Sequence, residues 1–439
     1  MGGEWREARL GQLGEVNRGR SRHRPRDAAH LYGGAYPFIQ TGDIKASGGR
    51  ITSHSQTYSE AGLAQSRLWP EGTMVITIAA NIAETAILTY PACFPDSVVG
   101  FIADKQRADV RFVEYLFRHL RRQIQHENVG TGSVQDNINL QTLARLTLRV
   151  PEPHEQSRIA HILGTLDDRI ENNRKTAKTL EAMAQAIFQS WFVDFDPVRA
   201  KMAGESKESI CKRLKLTPEI LDLFPDKLVD SELGEIPEGW YVDSIYMISD
   251  VIYGAPFNSS LFNTKQLGEP LIRIRDLVNE IPGIWTTEHH PRGYKVKRGD
   301  IVVGMDGEFR AYLWGGAEAW LNQRVCIFSP RVGYSSPFVR NSVIPLLAEV
   351  EASEIATTVI HLGKSDIDHF TVVIPTHIIT EAFNEITIPI YSDIVRAKWE
   401  SHMLVRIRDT LLPKLISGEI RTPDVDSIVG GLHNDLLSR

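Results

Sequence analysis

Residues 166–191 read LDDRIENNRKTAKTLEAMAQAIFQSW and form the centre of a proline-free stretch from about His154 to Val193. One side of this stretch repeats in alternating steps of four and three residues: Leu166, Ile170, Asn173, Ala177, Leu180, Ala184, Ile187 and Trp191. A seam held for more than three heptads is typical of a coiled coil. Charged residues on the other faces keep the helix solvated. A helix of about 40 residues spans roughly 60 Å, which is longer than a small domain needs for its own core.

The same pattern returns near the end of the chain. Val150-Pro151 matches Ile374-Pro375, and the match continues without a gap as far as Phe192 and Ile416. The second seam consists of Ile390, Ile394, Ala397, Leu404, Leu411 and Leu415. Ser401 and Arg408 weaken it, and Pro413 predicts a bend or an end of the helix. Two equivalent helices predict an antiparallel coiled coil within one chain; the alternative is that each helix folds back on its own domain.

The repeat extends upstream of both helices, with loops of different length. Residues 37–44 match 270–277, and 72–76 match 299–303. These short β-branched runs are bounded by Gly, Pro and Asp and predict strands, with one helix per copy at Val110–Gln125 and Pro337–Val350. The fold class is therefore α+β, with two tandem mixed α/β domains separated by two long helices and related by an internal two-fold pseudo-repeat. The predicted bounds are 1–150 for the first domain, 151–195 for the central helix, 196–233 for a linker, 234–375 for the second domain, 376–420 for the distal helix and 421–439 for a tail.

The two domains differ most in their polar loops. The first carries an arginine at every second position from Arg18 to Arg26, whereas the second has the uncharged stretch Tyr253–Ser260 at the corresponding place. A shared framework with unlike loops is typical of a duplicated recognition module with two different targets.

Composition excludes several classes of protein. The net charge of −6 over 439 residues argues against a chain that coats nucleic acid non-specifically, so any DNA contact must come from local basic patches. The three cysteines, Cys93, Cys211 and Cys326, are far apart and predict reduced thiols. With no signal peptide or membrane-spanning run in the sequence, we expect a cytoplasmic protein that contacts no membrane.

No catalytic or metal-binding motif is present. The sequence has no GxGxxG, GxxxxGK[ST], HExxH or GxSxG pattern. Asp306-Gly-Glu308 predicts a turn between two strands rather than a metal loop, and the histidine pairs His154/His161 and His289/His290 predict surface side chains. We therefore predict no catalytic residue and no bound metal.

Together these pieces resemble the specificity (S) subunit of type I restriction–modification systems, from Trp5 to about Arg421. The resemblance rests on seven segments in this order: Val150-Pro-Glu-Pro-His-Glu-Gln156, Ile159-Ala-His-Ile-Leu163, Leu166-Asp-Asp-Arg-Ile-Glu-Asn-Asn173, Ala186-Ile-Phe-Gln-Ser-Trp-Phe-Val-Asp-Phe195, Ser231-Glu-Leu-Gly-Glu-Ile-Pro-Glu-Gly-Trp240, Lys297-Arg-Gly-Asp-Ile301 and Leu411-Leu-Pro-Lys-Leu-Ile-Ser-Gly-Glu-Ile420. One departure is Pro375-Thr-His-Ile-Ile-Thr380, which replaces the first of these segments in the second copy. The second helix is therefore expected to start or dock differently.

The resemblance implies two target recognition domains that each read one half of a bipartite double-stranded DNA sequence, with the two helices acting as a ruler. It also implies partners: two methyltransferase subunits that carry S-adenosylmethionine, and motor–nuclease subunits that use ATP and Mg²⁺. The chain itself is then expected to bind no cofactor and to catalyse nothing.

Base readout uses Arg or Lys toward guanine and Asn or Gln toward adenine, and this chemistry selects the candidate DNA-binding residues. In the first domain they are Arg18, Arg20, Arg22, Thr41, Asn81, Gln135 and Asn137. In the second they are Asn258, Arg273, Arg275, Arg310, Gln323, Arg324 and Lys364. For each one the alternative is an ordinary solvated side chain. For the whole chain the alternatives are a coiled-coil scaffold that binds proteins and a self-contained nuclease or methyltransferase.

Overall fold

The computed structural model describes residues 5–79, 81–127, 140–353 and 360–425. The chain divides into two compact units. Unit 1 comprises Met1–Arg169 with Met403–Arg439, and unit 2 comprises Ile170–His402. Because this division passes through both long helices, the predicted bounds of separate domains and helices stay predictions. Among the helices of the described residues, none is both long and apolar enough to cross a membrane.

Unit 1 is built around a five-stranded sheet. Its elements are β1 (Arg6–Ala8), α1 (Leu10–Leu13), β2 (Gly14–Arg18), β3 (Tyr32–Phe38), α2 (Thr41–Ala46), β4 (Arg50–Ile51), β5 (Gln56–Tyr58), α3 (Glu60–Ala64), β6 (Met74–Thr77), β7 (Thr85–Leu88), β8 (Val98–Ala103), α4 (Val110–Glu127), α5 (Leu140–Arg145), β9 (Leu148–Val150) and the start of α6 (Pro153–Phe192). The sheet order is β2-β8-β6-β7-β4, and β3 pairs with β5. The apolar face of the sheet buries Trp69, Phe94 and Val98.

Unit 2 repeats this plan with more strands. After α6 come α7 (Asp196–Met202), α8 (Lys207–Leu214), α9 (Pro218–Leu223), β10 (Leu228–Ser231), β11 (Gly234–Pro237), β12 (Tyr241–Ser244), β13 (Ser249–Tyr253), β14 (Phe262–Asn263), β15 (Glu269–Ile272), β16 (Ile284–Thr286), β17 (Lys295–Val296), β18 (Ile301–Gly304), β19 (Ala311–Leu313), β20 (Ala319–Leu321), β21 (Val325–Pro330), α10 (Ser336–Ser353), α11 (Lys364–Asp368), β22 (Thr371–Ile374) and α12 (His377–Ser417). The two larger sheets have the orders β13-β21-β18-β19 and β14-β16-β15-β20-β17.

Each domain is closed by an equivalent pair of strands, from which the long helix starts. Arg6 pairs with Val150 between β1 and β9, and Tyr241 pairs with Ile374 between β12 and β22. Val150 and Ile374 are the residues at which the sequence repeat begins. The predicted pseudo-repeat is therefore present in the fold, because the same β-pair holds the ends of each domain together.

The two long helices begin at corresponding positions, Pro153 and His377, so of the two expected alternatives a different start is not observed. Their docking does differ. The buried Gln156 amide donates to the Pro151 carbonyl (2.9 Å) and accepts from the Asp109 amide (3.1 Å). At the matching place the Thr380 hydroxyl only donates to its own turn, at Thr376 (3.3 Å).

Antiparallel contacts join the helices inside each unit, as predicted. In unit 2 the buried Ala177 and Ala184 of α6 share a packed cluster with Ile394 and Ala397 of α12. In unit 1, Asp167 of α6 pairs with Arg408 of α12 (2.7 Å), and Glu155 accepts from Thr422 beyond the end of α12 (3.0 Å). All seam residues named from the heptad pattern are buried or half-buried.

Of the two expectations for Pro413, a bend or an end of the helix, the end is not observed. The helix continues to Ser417. A proline inside a helix removes one backbone hydrogen bond, but Pro413 lies only one turn from the end, where Leu411 and Leu415 on either side are fully buried. Burial of these side chains holds the last turn in place.

Residues 196–233, for which the composition suggests a linker, are largely folded. The expected helical piece is α9, but α7 and α8 precede it and β10 follows it. Val198, Ile210, Leu221 and Phe224 are buried in the same core as Trp191 at the end of α6. The segment therefore belongs to the core of unit 2.

Gly49 leaves room for the Arg118 side chain of α4, and it gives a first stability prediction. It has a φ of +104°, and a Cβ at this position would overlap the Arg118 guanidinium, whose Nη2 donates to the Gly48 carbonyl (3.1 Å). Gly49→Ala is expected to destabilise the chain by about 2–4 kcal/mol, since backbone strain and displacement of Arg118 add. Gly48→Ala is the matched control, because Gly48 also has a positive φ (+62°) but open space around its Cβ. Equal losses in urea unfolding would show that the Arg118 contact contributes nothing.

Candidate nucleic-acid interface

The first candidate surface is a ridge of five arginines, Arg18, Arg20, Arg22, Arg24 and Arg26, referred to below as the arginine ridge. All five side chains are exposed, whereas Gly19 and Ser21 between them are buried. Strand β2 ends at Arg18, and the chain then passes through bends at 23–25 and a turn at 26–27, so the five arginines share exposure to solvent rather than one strand face. The backbone is held against the sheet through Gly19 N–H to the Val98 carbonyl (2.8 Å).

The arginines of the ridge differ in how firmly the protein holds them. Arg18 Nε donates to the Asp96 carbonyl (3.0 Å), and Arg26 pairs with the Asp96 carboxylate (2.8 Å). Arg24 donates to the Ser21 carbonyl (2.7 Å). For Arg20 and Arg22, the described part of the chain supplies no hydrogen-bond or ion-pair partner to the side chain. Their donors are therefore available to an external acceptor.

A second group in unit 1 collects polar side chains at the start of α2. Thr41 is the first residue of α2, and the exposed Lys45 one turn later donates to Asn81 Oδ1 (3.3 Å). Gln40 Nε2 donates to Gln56 Oε1 (2.5 Å) beside them. Sequence reasoning selected Thr41 and Asn81 but missed Lys45, whose spacing of four from Thr41 in a helix was the available signal. Of the remaining candidates in this domain, Gln135 and Asn137 lie outside the described residues.

In unit 2 three of the four arginine candidates pair with acidic side chains. Arg324 pairs with Asp306 (3.3 Å), and His361 Nδ1 lies 2.7 Å from the same carboxylate. Arg310 pairs with Glu351 (3.2 Å). His361 was missed because it is brought to Asp306 from 55 residues away by tertiary folding. Asp306 itself lies in the connection between β18 and β19, where a turn was predicted.

Two further candidates in unit 2 have structural contacts that account for them. Arg273 bonds to Asp276 through its backbone N–H (2.9 Å) and Nε (3.3 Å), which repeats the Gln40 N–H to Asp43 contact (2.8 Å) of the first domain. Asn258 Oδ1 accepts from the Ser260 amide (3.0 Å) and caps a turn. Three candidates have exposed side chains with no partner among the described residues: Arg275, Gln323 and Lys364.

The two domains therefore present different surfaces on the same framework. Unit 1 offers a ridge of five exposed arginines, of which Arg26 pairs with a carboxylate, whereas three of the four arginine candidates in unit 2 pair with carboxylates. Among the described residues, no group of three or more His, Cys, Asp or Glu side chains could hold a metal ion. His154 and His161 are both exposed on α6.

Comparisons with known proteins agree on one family. The family model described as the type I restriction modification DNA specificity domain matches residues 2–182. The MjaIX type I restriction enzyme specificity subunit of Methanocaldococcus jannaschii is 26% identical over 441 residues, which cover 96% of this chain and 95% of that one. The HindI specificity subunit of Haemophilus influenzae is 26% identical over 64% of this chain and 71% of its own length. The EcoBI specificity subunit of Escherichia coli is 30% identical over 45% of this chain and 42% of its own length.

A solved structure shares the fold along almost the whole chain. The crystal structure of the type I restriction–modification S subunit from M. genitalium superposes with a TM-score of 0.57 at 15% sequence identity, covering 94% of this chain and 96% of that one. The chain thus has duplicated domains and paired helices, a match to the domain model, and a relative that it matches over nearly its whole length. Residues 2–182 of this chain thus match the domain model of type I restriction–modification specificity subunits, and the chain is similar over nearly its whole length to one such subunit.

Proposed function

We propose that this chain is the DNA-target recognition subunit of a type I restriction–modification system and reads a bipartite target, one half-site per domain. The observation that carries the proposal is the pair of unlike polar surfaces on one repeated framework. A chain that bound the same ligand twice would have no reason to place the arginine ridge in one copy and carboxylate-braced arginines in the other. Two different surfaces suit an asymmetric target.

The net charge of −6 is compatible with this function. Phosphate contacts supply most of the affinity of DNA-binding proteins, whereas base-edge contacts supply specificity. The arginine ridge is a local source of both, and partner subunits can provide further phosphate contacts. The paired helices then separate the two readers, so that the DNA between the half-sites is not read.

The proposal assigns the chemistry to other chains. We expect two methyltransferase subunits with S-adenosylmethionine and motor–nuclease subunits with ATP and Mg²⁺ to assemble with this chain. This chain itself would supply positions and donors only, and no residue of it is proposed to take part in a bond-making step.

The test is to purify the chain with its methyltransferase partner and to select bound sequences from a randomised duplex library at moderate salt. We expect one asymmetric sequence with two specified parts and an unspecified spacer of fixed length. Equal affinity for all duplexes would overturn the proposal and favour a scaffold that binds proteins. Methylation of DNA by the isolated chain with S-adenosylmethionine would instead favour a self-contained methyltransferase.

A further inference from the structure

A buried cluster of charges lies where the first domain meets both long helices in unit 1. Arg118 of α4 pairs with Glu114 on the same helix (2.5 Å) and with Asp167 of α6 (3.2 Å). Asp167 also pairs with Arg408 of α12 (2.7 Å) and accepts from the Tyr115 hydroxyl (2.7 Å). Side-chain exposure is 2% for Glu114, 14% for Asp167 and 16% for Arg118. We call Glu114, Arg118, Asp167 and Arg408 the first junction.

Unit 2 has a polar junction at the corresponding place, with an arginine where the first junction has Glu114. Phe112-Val113 of α4 matches Phe338-Val339 of α10, so the next residue is Glu114 in one and Arg340 in the other. Arg340 has 12% side-chain exposure and pairs with Glu181 of α6. It also donates to the Tyr391 hydroxyl of α12 (3.3 Å), and Tyr391 stands where the repeat places Asp167. In both units one domain helix and both long helices meet through a buried polar group.

These contacts are a costly way to stabilise a protein. Burial of charged groups is penalised by the loss of hydration, and apolar residues of the same volume often give equal or greater stability. Burial alone would raise the pKa of Asp167, but the guanidinium groups of Arg118 and Arg408 hold it below its ordinary value. The carboxylate is thus charged and is satisfied only while α4, α6 and α12 all stay in place. Because the charges are paired in one arrangement of these helices and unpaired in others, the cluster is suited to fixing the orientation of α4 on the helix pair.

We propose that the first junction is a positioning device, in which Asp167 and Arg408 fix the angle of the first recognition domain on the helix pair and thereby the spacer length that the subunit accepts. The inference rests on the proposed function. Asp167 and Arg408 are then specificity-determining residues that are remote from DNA. The second junction does the same for the second domain through Glu181 and Arg340.

The experiment measures spacer preference of the complex of the full chain with its methyltransferase partner. Duplexes carry both cognate half-sites, with the native spacer or a spacer changed by one base pair. Arg408→Met removes the contact of Asp167 with α12 and is expected to lower the preference for the native spacer about tenfold, because a domain free to rotate accepts neighbouring spacers. The bases preferred within each half-site should not change. Asp167→Asn should give the same loss, and Arg408→Lys should retain most of the preference.

Arg396→Met is the matched control, since Arg396 lies on the same helix in an exposed pair with Asp393 (77% side-chain exposure). It should leave spacer preference unchanged. If Arg408→Met and Asp167→Asn lower the melting temperature but keep the native spacer preference, the junction is a stability element only and the inference is overturned. If the wild-type complex itself shows no sequence preference, the proposed function fails first, and the two failures are distinguished.

Discussion

Replacing Arg18, Arg20 and Arg22 with glutamine is expected to weaken binding of cognate DNA by the methyltransferase complex about 100- to 1000-fold at 0.1 M salt. Each arginine that neutralises a phosphate contributes about 0.9 to the slope of log affinity against log salt. Loss of three such contacts should therefore lower the slope by about three. Arg20 and Arg22 should account for most of the effect, because no described side chain or backbone group competes for their donors.

The control is an equal removal of charge elsewhere in unit 1. Arg107, Arg149 and Arg158 are also exposed but lie outside the ridge, and their triple replacement with glutamine should change the affinity by less than about threefold. The measurement is a fluorescence titration at several salt concentrations, with both non-specific and cognate duplexes. Unchanged DNA binding in the ridge variant would support the alternative of a protein-binding scaffold.

Much of this arrangement could be predicted from the sequence, because the responsible signals are periodic or local. The heptad seam specified two paired helices, and the repeat from Val150 to Ile374 specified two equivalent domains. In each case residues a few positions apart share one environment.

The sequence could not predict side-chain pairs that form between distant parts of the chain. Arg408 was predicted to weaken the second seam, yet it meets Asp167 from 241 residues away. No local pattern marks that contact, and the same holds for His361 and Asp306. The folded segment 196–233 was hidden for a different reason: proline, glycine and charged residues divide it into short elements, and its apolar residues are buried against α6 and the second domain.

Inserting four alanines after Ala177 in α6 and four after Ala397 in α12 is expected to lengthen the unread spacer by one to two base pairs. Four residues add about 6 Å of helix and about 40° beyond a full turn. Two base pairs of DNA add about 7 Å of length and roughly 70° of twist. The insertion in the helices and the longer DNA spacer therefore both increase length and rotation. A four-residue insertion into a heptad pattern is accommodated by local unwinding of the coiled coil. Both helices must change, because Ala177 and Ala397 belong to one packed cluster.

Two alanines at each of the same places are the decisive control for this prediction. They turn the following seam residues by about 200°, so that Leu180, Ala184 and Leu404 would face solvent and charged residues would face the partner helix. This variant is expected to unfold the helix pair or to lose binding of any bipartite target. Library selection with the four-residue variant should recover both original half-sites at the longer spacing. Recovery of the original spacing would show that the distance is set by partner subunits and not by α6 and α12. Recovery of new half-sites would show that the helices and the reading surfaces are not independent.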